Sequence, residues 1–427
     1  MISVSGKKWV EKKISKNSIE KIKQDFNFSE IISKLIISRN FDYNEIYSIE
    51  KPPIIKNEFN NDKDFINASL LLEKSINKKE LTCIFGDYDV DGSAATSLLV
   101  NFFEYLKHPY FYYIPDRIKD GYGASKKLFQ KLILKKPKLI IMVDCGSTSY
   151  DAINYLNQQN IKSIVIDHHD INKPYPKCGA LINPKKNITN SEHSFLCATA
   201  LTYFFIDFLE KKNKSNFNLL KFLIYVLLAS VCDVMPLRKI NKIIGQNAIK
   251  DFNLKDNPAI KYLLDQNNFK RKITIEDLGF LIGPIINAGG RLNYSNYGVE
   301  LLSSDDQTLI EDKSKKLIKL NEKRKKIEKD ILDQINFEKI KKENNNVIIY
   351  YNKSLNEGLI GIIAARLKDY FNKPAIVITK SNNVLKGSAR STPIYNIGNL
   401  IKKLIDKKII ISGGGHNMAA GFTITKE

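Results

Sequence analysis

Three short apolar runs, each ending on an aspartate, constrain this chain more than any other feature. Phe85-Gly86-Asp87 closes the run 81–85, Val143-Asp144 closes 139–143, and Ile166-Asp167 closes 163–166. Between and around them lie segments of helical period at 68–79, 94–106 and 125–135, and an aromatic, β-prone run at 110–114. Parallel neighbours in a sheet need a crossover, usually a helix, so this alternation predicts βαβ units and a parallel sheet. In an open α/β sheet the site lies outside the carboxyl ends of the strands. The pattern therefore gathers carboxylates along one edge of an α/β domain.

The rest of the chain is read around that unit. Residues up to 61 are Lys-, Asn- and Ile-rich, hold the single tryptophan, Trp9, and end at Pro52-Pro53. The runs 195–209 and 219–231 have the composition of buried helices. Over 311–343, Leu317, Leu320, Ile327, Ile331 and Ile335 form an apolar stripe on a heavily charged helix, interrupted at Arg324. A linking helix and a coiled-coil arm both fit that stripe, and the linker is favoured. A second α/β pattern follows, with a strand at 347–351, a helix at 361–370, a strand at 375–379 and a glycine-rich end. The expected organisation is an extension (1–61) packing on a parallel-sheet catalytic domain (62–310), a helical linker (311–345) and a smaller α/β domain (346–427).

Charge narrows the partner. The 67 Lys and Arg against 46 Asp and Glu leave a net charge of +21. Such a balance favours a polyanion, nucleic acid before an anionic membrane, with a solvated lysine surface as the competing account. Only eight of those residues are arginine, so an arginine inside a motif is informative: its planar fork suits phosphate. The five cysteines are scattered without a CxxC pair, which excludes a disulfide framework or zinc ribbon and fits a reducing cytosol. No apolar stretch follows Lys7 and Lys8 as a signal peptide would require, and the longest uncharged apolar run, 222–232, is too short for a bilayer.

The densest chemistry is Gly86-Asp87-Tyr88-Asp89-Val90-Asp91-Gly92-Ser93. Three carboxylates at alternate positions repel one another unless a cation lies among them, and hard divalent ions such as Mg²⁺ or Mn²⁺ take oxygen ligands. An EF-hand is excluded: its twelfth position falls on Leu98, and a strand rather than a helix enters the loop. Asp144-Cys145-Gly146 and Asp167-His168-His169-Asp170 add carboxylates and two of the five histidines, and Asp233 follows an apolar helix in Ser230-Val231-Cys232-Asp233. These residues suffice for two ions sharing one aspartate, a pairing that lowers the pKa of water and clamps an in-line displacement at phosphorus. Phosphoester or phosphoanhydride hydrolysis is the chemistry implied. No G-x-S-x-G and no Cys in a His/Asp setting supports a nucleophilic side chain.

Asp87–Gly92, Asp144-Cys145-Gly146, Asp167-His168-His169 and Asp233 resemble the successive motifs of the DHH phosphoesterase superfamily. Within it the chain is most similar to the RecJ family, bacterial single-strand-specific 5′→3′ DNA exonucleases. Pro115-Asp116-Arg117 with Gly121-Tyr122-Gly123, Gly283-Pro284-Ile285-Ile286-Asn287-Ala288, Lys386-Gly387-Ser388-Ala389-Arg390-Ser391 and Gly413-Gly414-Gly415-His416 extend the likeness over essentially the whole chain. The resemblance implies two ions, Mn²⁺ or Mg²⁺, on Asp89, Asp91, Asp144, His168 and Asp233. It places Asp87 and His169 in or beside that shell, with His169 able to orient or protonate the leaving group. It reads 346–427 as a DHHA1 substrate-binding domain, with Arg117, Arg291, Asn356, Ser388, Arg390, Gly414, Gly415 and His416 facing the terminal phosphate and strand. It further implies a cytoplasmic, monomeric DNA repair and recombination enzyme, acting on single-stranded DNA alongside a helicase and a single-strand-binding protein. Relatives that cleave short oligonucleotides, cyclic dinucleotides or pyrophosphate, and non-catalytic scaffolds, are the alternatives.

Departures from the family pattern carry expectations too. Leu355-Asn356-Glu357 stands where Trp-His is usual, so Asn356 can bond a phosphate but cannot titrate. Ile285 replaces a common Arg and is expected to remove a cation from the channel, while Gly289 replaces an Ala. The family's oligonucleotide-binding OB domain, expected beyond Ala419-Ala420-Gly421, is expected to be missing, since the sequence stops at Glu427.

Overall fold

The computed structural model describes the chain except residues 1, 5–7, 9, 50, 118, 122, 187–192, 214–215, 382–383 and 426–427. Trp9 and Tyr122 thus lie outside the described residues. The first sheet contains β1 (Thr82–Phe85), β2 (Tyr110–Tyr113), β3 (Leu139–Val143), β4 (Lys162–Ile166) and β5 (Ala180–Ile182), in the order β2-β1-β3-β4-β5 and parallel throughout. β1 and β3 are buried along their whole length, as strands covered on both faces must be. One face packs on the helices Lys63–Asn77, Val90–Leu106, Ala198–Asn213 and Leu223–Cys232, the other on Lys126–Leu132 and Tyr150–Gln158. β5 is the strand of this sheet that the sequence pattern does not show: three residues are too few to show a period.

Register explains why the aspartates meet. Phe85 lies beside Met142, and Val143 beside Ile166. Two further residues along β1 and one along β3 bring Asp87, Asp144 and Asp167 off the same edge. The backbone ladder continues through this level, since Asp144 N–H donates to Ile166 O at 3.0 Å and Asp167 N–H to Ile182 O at 3.0 Å.

The second sheet contains β6 (Ile348–Tyr351), β7 (Ala375–Ser381), β8 (Val384–Arg390), β9 (Ser412–Gly415) and β10 (Ala419–Ile424), ordered β6-β7-β8-β10-β9. Only β6 and β7 run parallel; the other pairs are antiparallel. The helix Ile360–Phe371 packs on β7 and β8, and Ile397–Asp406 on β9 and β10. Gly413–Gly415, whose glycines suit either close backbone approach to an anion or a tight turn, forms edge strand β9 and not a turn.

The connecting helix runs Gln307–Gln334 and then breaks. Ile335 turns into extended backbone with its side chain buried, and Asn336 caps a second helix, Phe337–Glu343, by accepting from Lys339 N–H at 2.9 Å. The continuous helix to 343 expected from the stripe is therefore corrected to two. Ile310 and Leu317 belong to the first core, whereas Ile331 and Ile335 belong to the second, with Ile348, Ile363 and Leu367. One rigid rod thus shares in both cores. The helices Lys16–Phe26, Glu30–Ser38 and Tyr43–Tyr47 close a small core around Ile22, Ile36 and Ile46, and Glu45 anchors them to Arg238. Among the described residues, no helix is long and apolar enough to cross a membrane.

Candidate metal centre and facing arginine cluster

The loop after β1 folds back on the helix it introduces. Asp89 caps Val90–Leu106, its Oδ1 accepting from Gly92 N–H at 3.0 Å, so Asp91 stands on the first turn. A Cβ at Gly92 would fall 2.5 Å from the Asp87 carbonyl oxygen, so only glycine lets the two ends of this loop touch. Asp87 Oδ1 accepts from Tyr88 N–H at 2.7 Å. Asp91 reaches across to the start of Ala198–Asn213, accepting from Ala198 N–H at 2.7 Å and Thr199 Oγ1 at 2.6 Å. Asp144 sits in left-handed backbone at φ 59°, and Val234, directly after Asp233, at φ 56°. Such values are costly for non-glycine residues and worst for a β-branched one, so two candidate ligands are held by strained turns.

These residues converge. His168 Nε2 lies 3.3 Å from Asp144 Oδ1, 3.4 Å from Asp233 Oδ2 and 3.6 Å from Asp91 Oδ2. Three overlapping donor groups result: Asp87, Asp89 and Asp144; Asp91, His168 and Asp233; and Asp144, His168 and His169, each with atoms within 4.8 Å of one another. Asp144 belongs to two of them, and its Oδ1 is buried without a hydrogen-bond partner.

Burial and the neighbouring Asp89 push Asp87 up to about 7 and Asp91 up to about 6. Burial and the same neighbour raise Asp144 well above the carboxylate range, and burial with Asp91 takes Asp233 to about 8. The set stays fully ionised at neutral pH only with positive charge among its oxygens. His168 is held neutral, lowered to about 3 by burial and then by His169. A neutral imidazole is the form that ligates.

Asp167 does a different job. It accepts from Ser147 N–H at 2.9 Å, His168 N–H at 2.8 Å and His169 Nδ1 at 2.7 Å. Burial opposes charge on His169, but Asp167 outweighs it and raises the imidazole to about 9. The sequence motif contained Asp167, yet only the structure assigns it to orienting the His169 ring, its bond to His168 being to the backbone N–H.

Across a cleft of about 1630 Å³ stand Arg117, Arg291, Ser388 and Arg390, with Gly414, Gly415 and His416 further along. Arg291 Nη1 donates to Gly358 O at 3.1 Å, and Arg390 Nη1 to Ala389 O at 2.9 Å and Ser388 Oγ at 3.1 Å. Burial, then Arg117 and Arg390, lower Arg291 to about 10; burial and Arg117 lower Arg390. His416 Nδ1 lies 3.3 Å from Asp170 Oδ2, and its ring stacks 5.9 Å from that of His169. A Cβ at Gly413 or Gly415 would collide with β10, whereas at Gly414 it would meet nothing within 4 Å. Packing therefore accounts for two glycines of the run, and Gly414 leaves bare backbone on the cleft.

Two expected positions fall elsewhere. Asn356 does not line the cleft; its Oδ1 accepts from Gly358 N–H at 2.8 Å, closing its own turn, while Glu357 faces the cleft and accepts from Ser381 Oγ at 2.7 Å. Ile285 is 2% exposed within the first core, so this departure removes no cation from the channel. Thr199 and Tyr88 are further site residues that no sequence spacing marked.

Comparison with known proteins agrees with this arrangement. The pattern of the DHH family, N-terminal domain, matches residues 81–230, and that of the DHHA1 domain matches 344–427. The chain is 29% identical over 376 residues to the single-stranded-DNA-specific exonuclease RecJ of Haemophilus influenzae, covering 84% of this chain and 65% of that protein. It is 30% identical over 365 residues to RecJ of Escherichia coli, covering 81% and 63%. The crystal structure of RecJ in complex with Mn²⁺ from Thermus thermophilus superposes with a TM-score of 0.81 at 20% identity, over 96% of this chain and 58% of that one, which shows a shared fold. The chain thus spans less than two thirds of the length of each of these relatives. It belongs to the DHH family, carrying that family's N-terminal domain followed by a DHHA1 domain.

Proposed function

We propose that this chain is a metal-dependent exonuclease that releases 5′ mononucleotides from the 5′ end of single-stranded DNA. One observation carries the reading: a carboxylate–imidazole cluster and an arginine trio line the same cleft. The similar exonucleases of Haemophilus influenzae and Escherichia coli are single-stranded-DNA-specific, and the Thermus thermophilus protein of like fold binds Mn²⁺.

The donor set fits two hard divalent ions, Mn²⁺ or Mg²⁺. Its oxygens are ionised together only with a cation present, and the buried Asp144 Oδ1 has no hydrogen-bond partner, the His168 ring lying 3.3 Å away. Asp87, Asp89 and Asp144 would hold one ion, and Asp91, His168 and Asp233 the other. When bound, such ions lower the pKa of water and offset charge at phosphorus.

The chain's own side chains do the rest. His169, kept protonated through Nδ1 by Asp167, can hand a proton to the leaving oxygen. Arg117, Arg291 and Arg390 with Ser388 take the 5′ phosphate of the terminal nucleotide, and the bare backbone at Gly414 with His416 contacts the strand. In this reading 62–310 is the catalytic unit, 311–345 the connector, 346–427 the substrate-binding unit and 1–61 an extension on the first. The enzyme acts as a monomer on strands that a helicase and a single-strand-binding protein would present.

A ladder assay tests the reading. With Mn²⁺, a 5′-phosphorylated single strand labelled at its 3′ end should shorten progressively, and a dinucleotide should be a poor substrate. Cleavage confined to the dinucleotide would replace the exonuclease reading with one for short oligonucleotides.

A further inference from the structure

We propose that Tyr88 holds Arg117 ready for phosphate by offering the face of its ring instead of a charge. This role rests on the phosphate reading of the arginine trio given above. The arginines of the chain divide by partner. Arg238 pairs with Glu45, Arg271 with Asp277 at 2.7 Å, Arg324 with Glu328 at 2.6 Å and Arg366 with Glu328 at 2.7 Å. Arg117, Arg291 and Arg390 make no ion pair with any described residue although they line a cleft; the eighth arginine, Arg39, is also without one but lies exposed. Arg291 and Arg390 are steadied by carbonyl and hydroxyl oxygens, as described. Arg117 instead lies with its Cζ 4.4 Å from the centroid of the Tyr88 ring, and its buried Nε has no hydrogen-bond partner.

The two ways of holding a guanidinium differ in what they leave free. A carboxylate binds the edge of the fork and cancels its charge. A ring attracts the same cation through its quadrupole, covers only the face, and leaves charge and N–H edges for an incoming anion. The ring is itself fixed. Tyr88 is buried between Asp87 and Asp89, and a Cβ at Gly290 would come within 2.4 Å of its carbonyl oxygen, so Gly283–Arg291 lies against its backbone. That helix ends in Arg291. One residue of the acidic loop therefore touches Arg117 through its ring and, through its backbone, the helix that delivers a second arginine.

Tyr88→Phe, followed by the same substitution with one, two and three ring fluorines, drains the ring face while keeping its shape. KM for a 5′-phosphorylated strand should rise stepwise, to roughly tenfold at three fluorines. The kcat at saturation and the Mn²⁺ affinity measured by calorimetry should stay within about twofold. A flat series overturns the role. In an Arg117→Ala background the series should go flat; a persisting slope would show that the ring acts other than through Arg117 and would also overturn it. Wild-type protein with no preference for a 5′ phosphate, or one that keeps it in Arg390→Ala, would overturn the phosphate reading itself. A preference lost in Arg390→Ala beside a flat fluorine series would overturn the Tyr88 role alone.

Discussion

The acidic cluster and the arginine cluster face each other across one cleft, and each is unstable by itself for the same reason. Like charges crowd together and burial strips them of water. The carboxylates respond by rising toward neutrality, as Asp233 does to about 8, and the guanidinium of Arg291 by falling to about 10. They differ in construction. The acids hang from one sheet edge and its adjoining loops and are locked by backbone N–H groups and by Thr199. The arginines come from a loop, a helix end and a strand of the second sheet, and are held by carbonyls, a hydroxyl and a ring. A rigid site suits small ions with fixed ligand geometry, whereas one assembled across two units suits a long anion that spans both.

The comparison can be broken at several points, and the acidic side should break hardest. Asp144→Ala removes the carboxylate shared by two donor groups. Cleavage with Mn²⁺ should fall by roughly a thousandfold or more while the circular dichroism spectrum keeps its shape. Retained activity would refute a two-ion site. Asp167→Asn should lower kcat by roughly ten- to a hundredfold, through loss of the His169 proton, with Mn²⁺ affinity nearly unchanged by calorimetry. On the arginine side, Arg390→Ala should raise KM for 5′-phosphorylated strands by about tenfold and leave 5′-hydroxyl strands little affected. Metal binding should leave a thermal signature as well. Mn²⁺ at a hundred times its Kd should stabilise the fold by about 2.7 kcal/mol for each ion bound, read as a rise in Tm that EDTA reverses and Asp144→Ala abolishes.

The smallest effect lies outside the cleft and serves as its control. The Arg238 hydrogen bond lowers Glu45 from 4.5 to about 2 despite burial. A carboxyl group depressed in the folded state contributes stability above its unfolded pKa, and this is lost as pH falls from about 4.5 to about 2. Glu45→Gln should cost about 2 kcal/mol at neutral pH and flatten the acid limb of a denaturation curve in that window, without altering cleavage. A change in cleavage would mean that residues 1–61 reach the site.

How much of this was legible in the sequence follows from how each cluster is built. Asp87, Asp89, Asp91 and Asp144 follow strand ends, and a parallel register converts that one-dimensional position into a shared edge. His168 and Asp233 could be added because a histidine pair and an acid beside apolar runs stand out against their surroundings. The arginine trio has no such pattern: 390 joins 117 and 291 across the two units because the Gln307–Gln334 helix belongs to both cores. Family motifs located those residues, but motifs do not say which way a side chain turns. Asn356 turned inward to cap its own turn and Glu357 took the cleft, while Ile285 went into the core. The break at Ile335 escaped because an apolar stripe of period 3.6 continues straight through a cap. The Thr199 and Tyr88 contacts escaped because nothing local announces a partner far away in the chain.

The most direct test of the central claim uses single strands blocked at one end or the other, with Mn²⁺ present and products resolved by mass spectrometry. If the acidic cluster cuts while the arginine cluster holds a 5′ phosphate, a 3′-blocked strand should be degraded to 5′ mononucleotides and a 5′-blocked strand should survive. Degradation of the 5′-blocked strand alone, or products other than 5′ mononucleotides, would contradict the assignment of the two clusters.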